Sequence, residues 1–193
     1  MILVKRSEVL CETHNHFCSV TIKKYELGSK NNEAEYSIME VGNNLYIGFK
    51  GQNNSSYMLV SRLSGQRCFL TNSFNGIKKD IDGLPTDYDS VYLFGSDKNL
   101  KDSFRIEQCA DKDGIKLFTS LDLEGISGYL SDVGIKSEIS NRPTHYLCNE
   151  AYWYLLEKYH RKAVLIHIPT MKNCYNFFDR MIGLPDNAMD CGI

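Results

Sequence analysis

The sequence predicts an α/β fold, a three-layer α/β/α sandwich around a mostly parallel mixed sheet. Three observations carry this prediction. Strand-like segments alternate with segments of helical periodicity over most of the chain. The middle strand-like segments are short apolar runs closed by glycine or proline, as is typical of buried strands. The length of 193 residues suits one domain, and no repeat or low-complexity linker interrupts it.

The first half of the chain begins with strands and continues into alternating elements. Residues 1–42 are predicted to be a β-rich addition, because "SVTIKKYEL" and "EYSIMEV" alternate apolar and polar residues around a polar loop, "GSKNNEAE". "NNLYIGFKGQNN" predicts a buried strand followed by a turn. "SSYMLVSRL" predicts a helix with Ser55 or Ser56 as its cap. "NSFNGIKKDIDGL" predicts a second helix, which ends before Pro85.

The second half predicts the remaining strands and helices. "DSVYLFG", closed by Gly95, predicts a central strand, and "SFRIEQCA" predicts another strand. "SLDLEGISGYLSDVG" predicts an amphipathic helix ending at Gly134, followed by a short strand, "IKSEIS". "EAYWYLLEKYH" predicts the last helix and "KAVLIHIP" the last strand, which Pro169 ends.

The composition excludes few functions, but the net charge gives information about the classes of binding partner. The formal net charge of -2 gives no electrostatic reason to expect nucleic acid or an anionic membrane as a partner. The first residues, "MILVKRSEVLCETHNH", contain no long apolar run, so we expect neither a signal peptide nor a membrane-spanning helix. The seven cysteines are scattered and odd in number, which favours reduced thiols in the cytoplasm.

The segment "CETHNHFC" raises the possibility of a zinc site. It places Cys11, His14, His16 and Cys18 together, and zinc prefers nitrogen and sulfur ligands. The segment lacks paired CxxC knuckles and alternates like a strand, in which Cys11 would point away from the other three. The favoured interpretation is a polar strand, with no metal and no cofactor in the protein.

Cys148 and His167 are the residues most able to carry chemistry. Cys148 precedes "NEAYWYLLEKY", so its sulfur is expected in the first turn of a helix, where free amide groups favour a thiolate. His167 lies in the next strand and is the candidate base for that thiol. From the residues alone, a packed cysteine and a core histidine are equally open interpretations.

The surrounding motifs resemble the cysteine peptidase family of pyroglutamyl peptidase I. "THYLCNEAYWYLL" resembles the family's cysteine motif, and "AVLIHIP" resembles its histidine motif. "VYLFGSDKNLKDSFRIEQCA" is similar to its glutamate motif, with Gly95, Glu107 and Ala110 in matching positions. "NLYIGFKGQNNSSYMLVSRL" and "SLDLEGISGYLSDVGIKSEIS" extend the resemblance from about Leu45 to about Asn173.

The resemblance implies a catalytic site and a substrate pocket. It implies catalytic roles for Cys148, His167 and Glu107, with substrate contacts from Gly48, Phe49, Gly95 and Ser96. It also implies a peptide or small amide substrate and a homo-oligomer. Two expectations follow: a cysteine hydrolase that removes an N-terminal pyroglutamyl or related lactam group, or a catalytically altered protein that binds or regulates.

Two segments depart from the family pattern, and both concern the pocket. "GFKGQNN" has Lys50 and Gly51 where the family has a proline and a second phenylalanine, whose ring helps to clasp the pyrrolidone. "GSDKNLK" replaces the family's Gly-Gln and Gly-Gly-Arg segment, and most of an insertion after the glutamate is missing. We therefore expect the chemistry to be retained and the substrate selectivity to differ.

Overall fold

A computed structural model of the chain describes residues 4–10, 20–29, 32–144 and 146–173. The chain separates into two compact units, residues 1–42 and residues 43–193. The elements of the first unit are three strands, β1 (Val4–Leu10), β2 (Val20–Ser29) and β3 (Asn32–Val41). They form an antiparallel sheet in the order β1-β2-β3.

The first unit bears on two predictions. The strands predicted over "SVTIKKYEL" and "EYSIMEV" are confirmed as β2 and β3. The loop predicted over "GSKNNEAE" is mostly wrong, because residues on both sides of the turn pair across the hairpin, Gly28 with Glu33 and Ser29 with Asn32. The candidate zinc segment from Cys11 to Cys18 lies outside the described residues. The assignment of residues 1–42 as an addition to the main domain stays a prediction.

The second unit alternates strands and helices along the chain. Its strands are β4 (Asn44–Phe49), β5 (Gln66–Leu70), β6 (Ser90–Asp97), β7 (Ser103–Glu107), β8 (Cys109–Lys112), β9 (Ile115–Phe118), β10 (Lys136–Ser140) and β11 (Ala163–Pro169). Its helices are α1 (Ser55–Arg62), α2 (Phe74–Asp82), α3 (Leu123–Asp132) and α4 (Leu147–Lys158).

Six of these strands form the central sheet, in the order β10-β7-β11-β6-β4-β5. Neighbouring strands run parallel except at one place, where β7 is antiparallel to β11. Helices lie on both sides of the sheet, so the predicted α/β/α sandwich around a mostly parallel mixed sheet is confirmed. β8 and β9 form a separate antiparallel hairpin.

The core on one side of the sheet explains how the helices are fixed. Alternate residues of the central strands face α2 and α4, because side chains alternate between the two faces of a sheet. These strand residues pack in one cluster with residues of the two helices. Members of the cluster that are at most 1% exposed include Leu93 and Leu165 on the strands and Ile77, Tyr152 and Leu156 on the helices. Burial of this apolar surface is the main force that holds α4 against the sheet.

Three details differ from the sequence predictions. β5 was not predicted, because "QRCFL" is too short and too polar at its start to be recognised. "SFRIEQCA" was predicted as one strand, but Gln108 interrupts it and the two parts join different sheets. Neither Ser55 nor Ser56 caps α1: the cap is Asn54, whose side chain accepts a hydrogen bond from the Ser56 amide at 2.9 Å.

Candidate active site

The face of the sheet that packs against α4 brings the candidate residues together. His167 on β11 pairs with Gly95 on the parallel strand β6 and with Arg105 on the antiparallel strand β7. Glu107 pairs with Leu165, one level deeper in the sheet. Because residues two apart on a strand share a face, all of these residues face α4.

The position of Glu107 depends on the direction of its strand. β7 runs opposite to β11, so the carboxyl end of β7, where Glu107 lies, points away from the edge of the sheet at which β11 ends. Glu107 contacts His167 from the level of Leu165, two residues before His167 on β11, and it is only 1% exposed.

His167 and Glu107 form a direct, buried hydrogen bond. The distance from His167 Nδ1 to Glu107 Oε1 is 2.8 Å, and His167 is 3% exposed. Glu107 Oε1 also accepts a hydrogen bond from Arg105 Nε at 2.7 Å, as expected of an ionised carboxylate. Nδ1 therefore carries a proton and donates a hydrogen bond to Glu107, which leaves Nε2 as the ring nitrogen that can accept a proton.

Cys148 lies next to the opposite edge of that imidazole. It occupies the first turn of α4, as predicted, after the N-cap residue Tyr146. A Cβ atom built on Gly95 would lie 2.8 Å from Cys148 Sγ and 3.1 Å from His167 Cδ2. Cδ2 is bonded to Nε2 within the ring, so the thiol and this edge of the imidazole both lie against the space above Gly95.

The surroundings of Cys148 keep its thiol protonated at rest. Burial, together with the negative charges of Asp97 and Glu107, raises the pKa of the Cys148 thiol to about 12, and the backbone amide at the start of α4 offsets only part of this rise. Because the thiolate is the reactive form, Cys148 needs a base that removes its proton during attack. His167, which borders the space above Gly95 together with the thiol, is the candidate for that base.

A second pair of charges adjoins the site and was missed from the sequence. Arg105 Nη2 donates a hydrogen bond to Asp97 Oδ2 at 2.7 Å and lies 3.3 Å from His167 Nδ1. Burial opposes the charge on Asp97, but hydrogen bonds from the Asn99 amide and Arg105 outweigh it and lower the pKa of Asp97. The sequence contains one signal for this pair: side chains alternate along a strand, so Arg105 and Glu107, on either side of Ile106, share one face.

The residues predicted to bind substrate lie on different faces. Gly95 meets Cys148 and His167, whereas Ser96 points to the opposite face and bonds Ser55 Oγ at 2.6 Å. A Cβ on Gly48 would lie 2.8 Å from the Ser56 carbonyl oxygen, so Gly48 permits close packing of α1 on β4. Neither Gly48 nor Ser96 therefore faces the thiol.

Phe49 is also more buried than the prediction requires. It is 3% exposed and belongs to the core cluster, against which Cys148 packs. Its ring therefore lies on the same side of the sheet as the thiol, but it contributes to the core and has little surface left for a ligand. The prediction that Phe49 contacts substrate stays a prediction.

An open cleft of about 340 Å³ lies at the carboxyl edge of the sheet, beside Ser96. Polar side chains dominate its lining, among them Lys50, Asn53, Asn54, Asn72 and Thr170. Small-molecule pockets are usually lined mainly by apolar and aromatic side chains. The cleft therefore suits a polar group better than a bare hydrocarbon ring.

Metal and membrane features were searched in the part of the chain that the structure describes. Within it, no group of three or more His, Cys, Asp and Glu side chains is arranged to hold a metal ion. No described helix is both long enough and apolar enough to cross a bilayer.

Solved structures share the mixed α/β fold of this chain. Pyroglutamyl peptidase I from Bacillus amyloliquefaciens matches with a TM-score of 0.59 and 16% identity, covering 73% of this chain and 91% of that one. Pyrrolidone carboxyl peptidase from Thermococcus litoralis matches with a TM-score of 0.54 and 20% identity, covering 68% and 79%. The enzyme from Thermus thermophilus gives 0.55 and 16%, covering 65% and 84%.

No protein-family model matches the chain, and no curated protein matches it. At identities of 16 to 20%, the structural likenesses establish the fold. The chain has the fold of pyroglutamyl peptidase I, as its motifs predicted.

Proposed function

We propose that this protein is a cysteine hydrolase of the pyroglutamyl-peptidase type. One observation carries the proposal: His167 Nδ1 is tied to Glu107 Oε1 at 2.8 Å while the other edge of the ring faces Cys148 across Gly95. A thiol, an imidazole and a carboxylate in that order make up the arrangement that nucleophilic hydrolases use.

The proposed reaction has two halves. Cys148 Sγ attacks the amide carbonyl carbon while His167 Nε2 takes the thiol proton, and Glu107 stabilises the imidazolium that forms. The carbon-nitrogen bond breaks, the amine leaves with the proton from Nε2, and a thioester remains on Cys148. Water then attacks the thioester with His167 as base, which releases the acid and restores the thiol.

Backbone amides at the start of α4 support the oxyanion in both halves. The first amide groups of a helix have no partner within the helix and carry partial positive charge. Cys148 lies in that turn, and the N-cap Tyr146 makes no side-chain hydrogen bond to it. A carbonyl oxygen that becomes negative beside Cys148 would meet these donors.

The substrate is proposed at two levels. The broader level is a peptide or small amide, cleaved in the cytoplasm by a homo-oligomer. The finer level is an N-terminal pyroglutamyl group, which the names of the structural neighbours suggest. Lys50, at the position of a family proline, favours a more polar lactam or acyl group as the main rival.

The test compares hydrolysis by the wild-type protein and Cys148→Ala on a panel of fluorogenic amides. The panel holds the pyroglutamyl amide, the same amide with hydroxyl or carboxyl groups on the ring, and an open-chain glutaminyl amide. The proposal expects release from at least one lactam that is lost in Cys148→Ala. Release at equal rates from both proteins would refute it.

A second candidate is a binding or regulatory protein that has kept the fold without turnover. The raised pKa of Cys148 favours it, because a buried thiol beside two carboxylates is a poor nucleophile unless His167 acts. This candidate expects ligand-induced rises in melting temperature with the same lactams in both wild type and Cys148→Ala, without product. Cysteine-dependent product formation would exclude it.

A further inference from the structure

We propose that Arg105, anchored by Asp97, is a positioning residue that fixes Glu107 beneath His167 and lowers the pH at which Cys148 becomes reactive. The inference rests on the proposed function and extends it to two residues outside the predicted Cys-His-Glu set. Three short contacts carry it, and all involve side chains that are at most 16% exposed.

Arg105 holds both carboxylates at once. Its Nε donates to Glu107 Oε1 at 2.7 Å, and its Nη2 donates to Asp97 Oδ2 at 2.7 Å. Glu107 Oε1 receives His167 Nδ1 as well, whereas the buried Oε2 has no hydrogen-bond partner among the described residues. Rotation of the Glu107 carboxylate would break two charge-assisted hydrogen bonds together, so Arg105 fixes the oxygen that orients the imidazole.

The strand geometry makes this arrangement specific. Arg105 pairs directly with His167 across β7 and β11, and Glu107 follows two residues later on the same face. Asp97 is two residues after Gly95 on β6, so it faces the same side from the other flank of β11. Arg105 therefore extends across β11, and it binds Glu107 on its own strand and Asp97 on β6, the strand on the other side of β11.

The charges fix the direction of the effect. Asp97 and Glu107 carry two negative charges, and the Arg105 guanidinium cancels one of them within 3.3 Å of the imidazole. Without Arg105, the remaining negative charge favours the protonated thiol of Cys148, because an uncompensated anion stabilises the protonated state of a neighbouring acid. A higher pH would then be needed to form the reactive thiolate of Cys148.

Other charged groups near the site are few on the described elements. From β10, Glu138 pairs with Arg105, but it is exposed to solvent, which screens its charge. From α4, the titratable neighbours are Cys148 itself and Tyr152, whose hydroxyl donates to the Glu107 carbonyl at 3.0 Å and whose pKa is raised by burial. From the β8 side, Cys109 is buried, and burial raises the pKa of its thiol.

The test measures the rate at which iodoacetamide alkylates Cys148 as a function of pH, followed on the Cys148 peptide by mass spectrometry. It needs no substrate, so it separates this inference from the proposed hydrolysis. We expect Arg105→Met to lower the alkylation rate at a fixed pH below the midpoint by about 10- to 1000-fold, which corresponds to a midpoint raised by about one to three pH units. Arg105→Lys, which keeps the charge, should restore most of the wild-type value.

Matched variants test the direction of the midpoint shift and the effect of an unrelated arginine replacement. Asp97→Asn removes a negative charge and should move the midpoint downward, as should Glu107→Gln. Arg67→Met makes the same side-chain change on β5, where the arginine donates to the Ser61 carbonyl, and should leave the midpoint unchanged. Thermal melts of each variant verify that the folded protein is measured.

The outcomes separate the two proposals. An unchanged midpoint in folded Arg105→Met, beside a shift in Glu107→Gln, overturns the role of Arg105 and leaves the proposed hydrolase standing. Unchanged midpoints in Arg105→Met, Glu107→Gln and His167→Asn overturn both, because Cys148 then titrates alone. An Arg105-dependent midpoint without hydrolysis of any lactam supports the positioning role and counts against the hydrolase.

Discussion

Replacement of Gly95 by alanine tests the geometry of the site with a single methyl group. Gly95 pairs with His167 on β11, and its missing side chain leaves the space in which the Cys148 thiol meets the imidazole. The added Cβ would lie 2.8 Å from Cys148 Sγ, 3.4 Å from Cys148 Cβ and 3.1 Å from His167 Cδ2. Nothing in this contact is flexible, because both partners are held in the core.

The magnitude follows from these distances. Ordinary contact begins at 3.4 Å, so Sγ must move by roughly 0.6 Å away from the added Cβ, which displaces the thiol from its native place beside His167. A misplacement of about 1 Å at a reacting centre costs about 100-fold in rate, so we expect a loss of about 10- to 100-fold for Gly95→Ala. Overpacking of the core should also cost about 1–3 kcal/mol of unfolding free energy.

Two other glycines serve as controls. Gly128→Ala in α3 meets nothing within 4 Å and should stabilise the protein by about 0.5–1 kcal/mol without loss of activity. Gly48→Ala meets the Ser56 carbonyl oxygen at 2.8 Å, on the face away from the thiol. It should destabilise the fold and leave the rate per folded molecule close to that of the wild type.

The assay combines denaturant unfolding with lactam hydrolysis or Cys148 alkylation, expressed per folded molecule. Equal rates per folded molecule for Gly95→Ala and wild type would refute the account, because the thiol and the imidazole could then not meet over Gly95. A loss of rate in Gly48→Ala as large as that in Gly95→Ala would also refute it, because general destabilisation would explain both.

Three further predictions concern the residues that support the site. Asn149 joins α4 to β8 through two hydrogen bonds with the Asp111 backbone, at 2.9 and 2.7 Å. Asn149→Ala should therefore lower the unfolding free energy by about 1–3 kcal/mol, measured by urea titration. An unchanged urea midpoint would contradict this. Tyr152→Phe removes a buried hydrogen bond to the Glu107 carbonyl and should cost about 1 kcal/mol, again by urea titration, while larger losses would indicate repacking. The pKa of Asp97 is held below its ordinary value of 3.8, so its stabilising effect is present above that pH and is lost as pH falls through the lower folded value. Asp97→Asn should therefore flatten the loss of melting temperature in acid, and an equally steep loss would contradict the assignment.

The sequence predicts most of the fold because local patterns and the overall sheet agree. The apolar runs around Leu93 and Leu165 became neighbouring central strands, and the helical spacing after Cys148 became α4. Short or polar strands could not be recognised in this way. The first two residues of β5 are polar and exposed and only its last residue is buried, so its apolar run is too short to recognise, and its pairing with β4 depends on the rest of the sheet.

The site was predicted less completely, for reasons of topology. The motifs name Cys148, His167 and Glu107, and the structure brings these three together. Their meeting depends on β7 running against β11, which no local pattern around Glu107 reveals. The same reversal pairs Arg105 with His167, so a charged residue that looked like part of an exposed strand lies instead beside the imidazole.

The substrate residues illustrate a different limit. Gly95 and Ser96 are adjacent in sequence and were assigned together, yet alternation along β6 directs Gly95 to the thiol and Ser96 to Asn54 and Ser55. A motif match cannot separate two neighbours that point to opposite faces. The strand pairing of the whole sheet is needed to decide which of them reaches a substrate.

The central claim is that Cys148 forms a covalent acyl intermediate with His167 as its base. The most direct measurement is rapid-quench mass spectrometry of the Cys148 peptide after mixing with an activated pyroglutamyl ester. The account predicts one acyl group on Cys148 that appears before steady-state product, is absent in Cys148→Ala, and forms far more slowly in His167→Asn. Steady product release without acylated Cys148, or acylation that His167→Asn leaves unchanged, would contradict it.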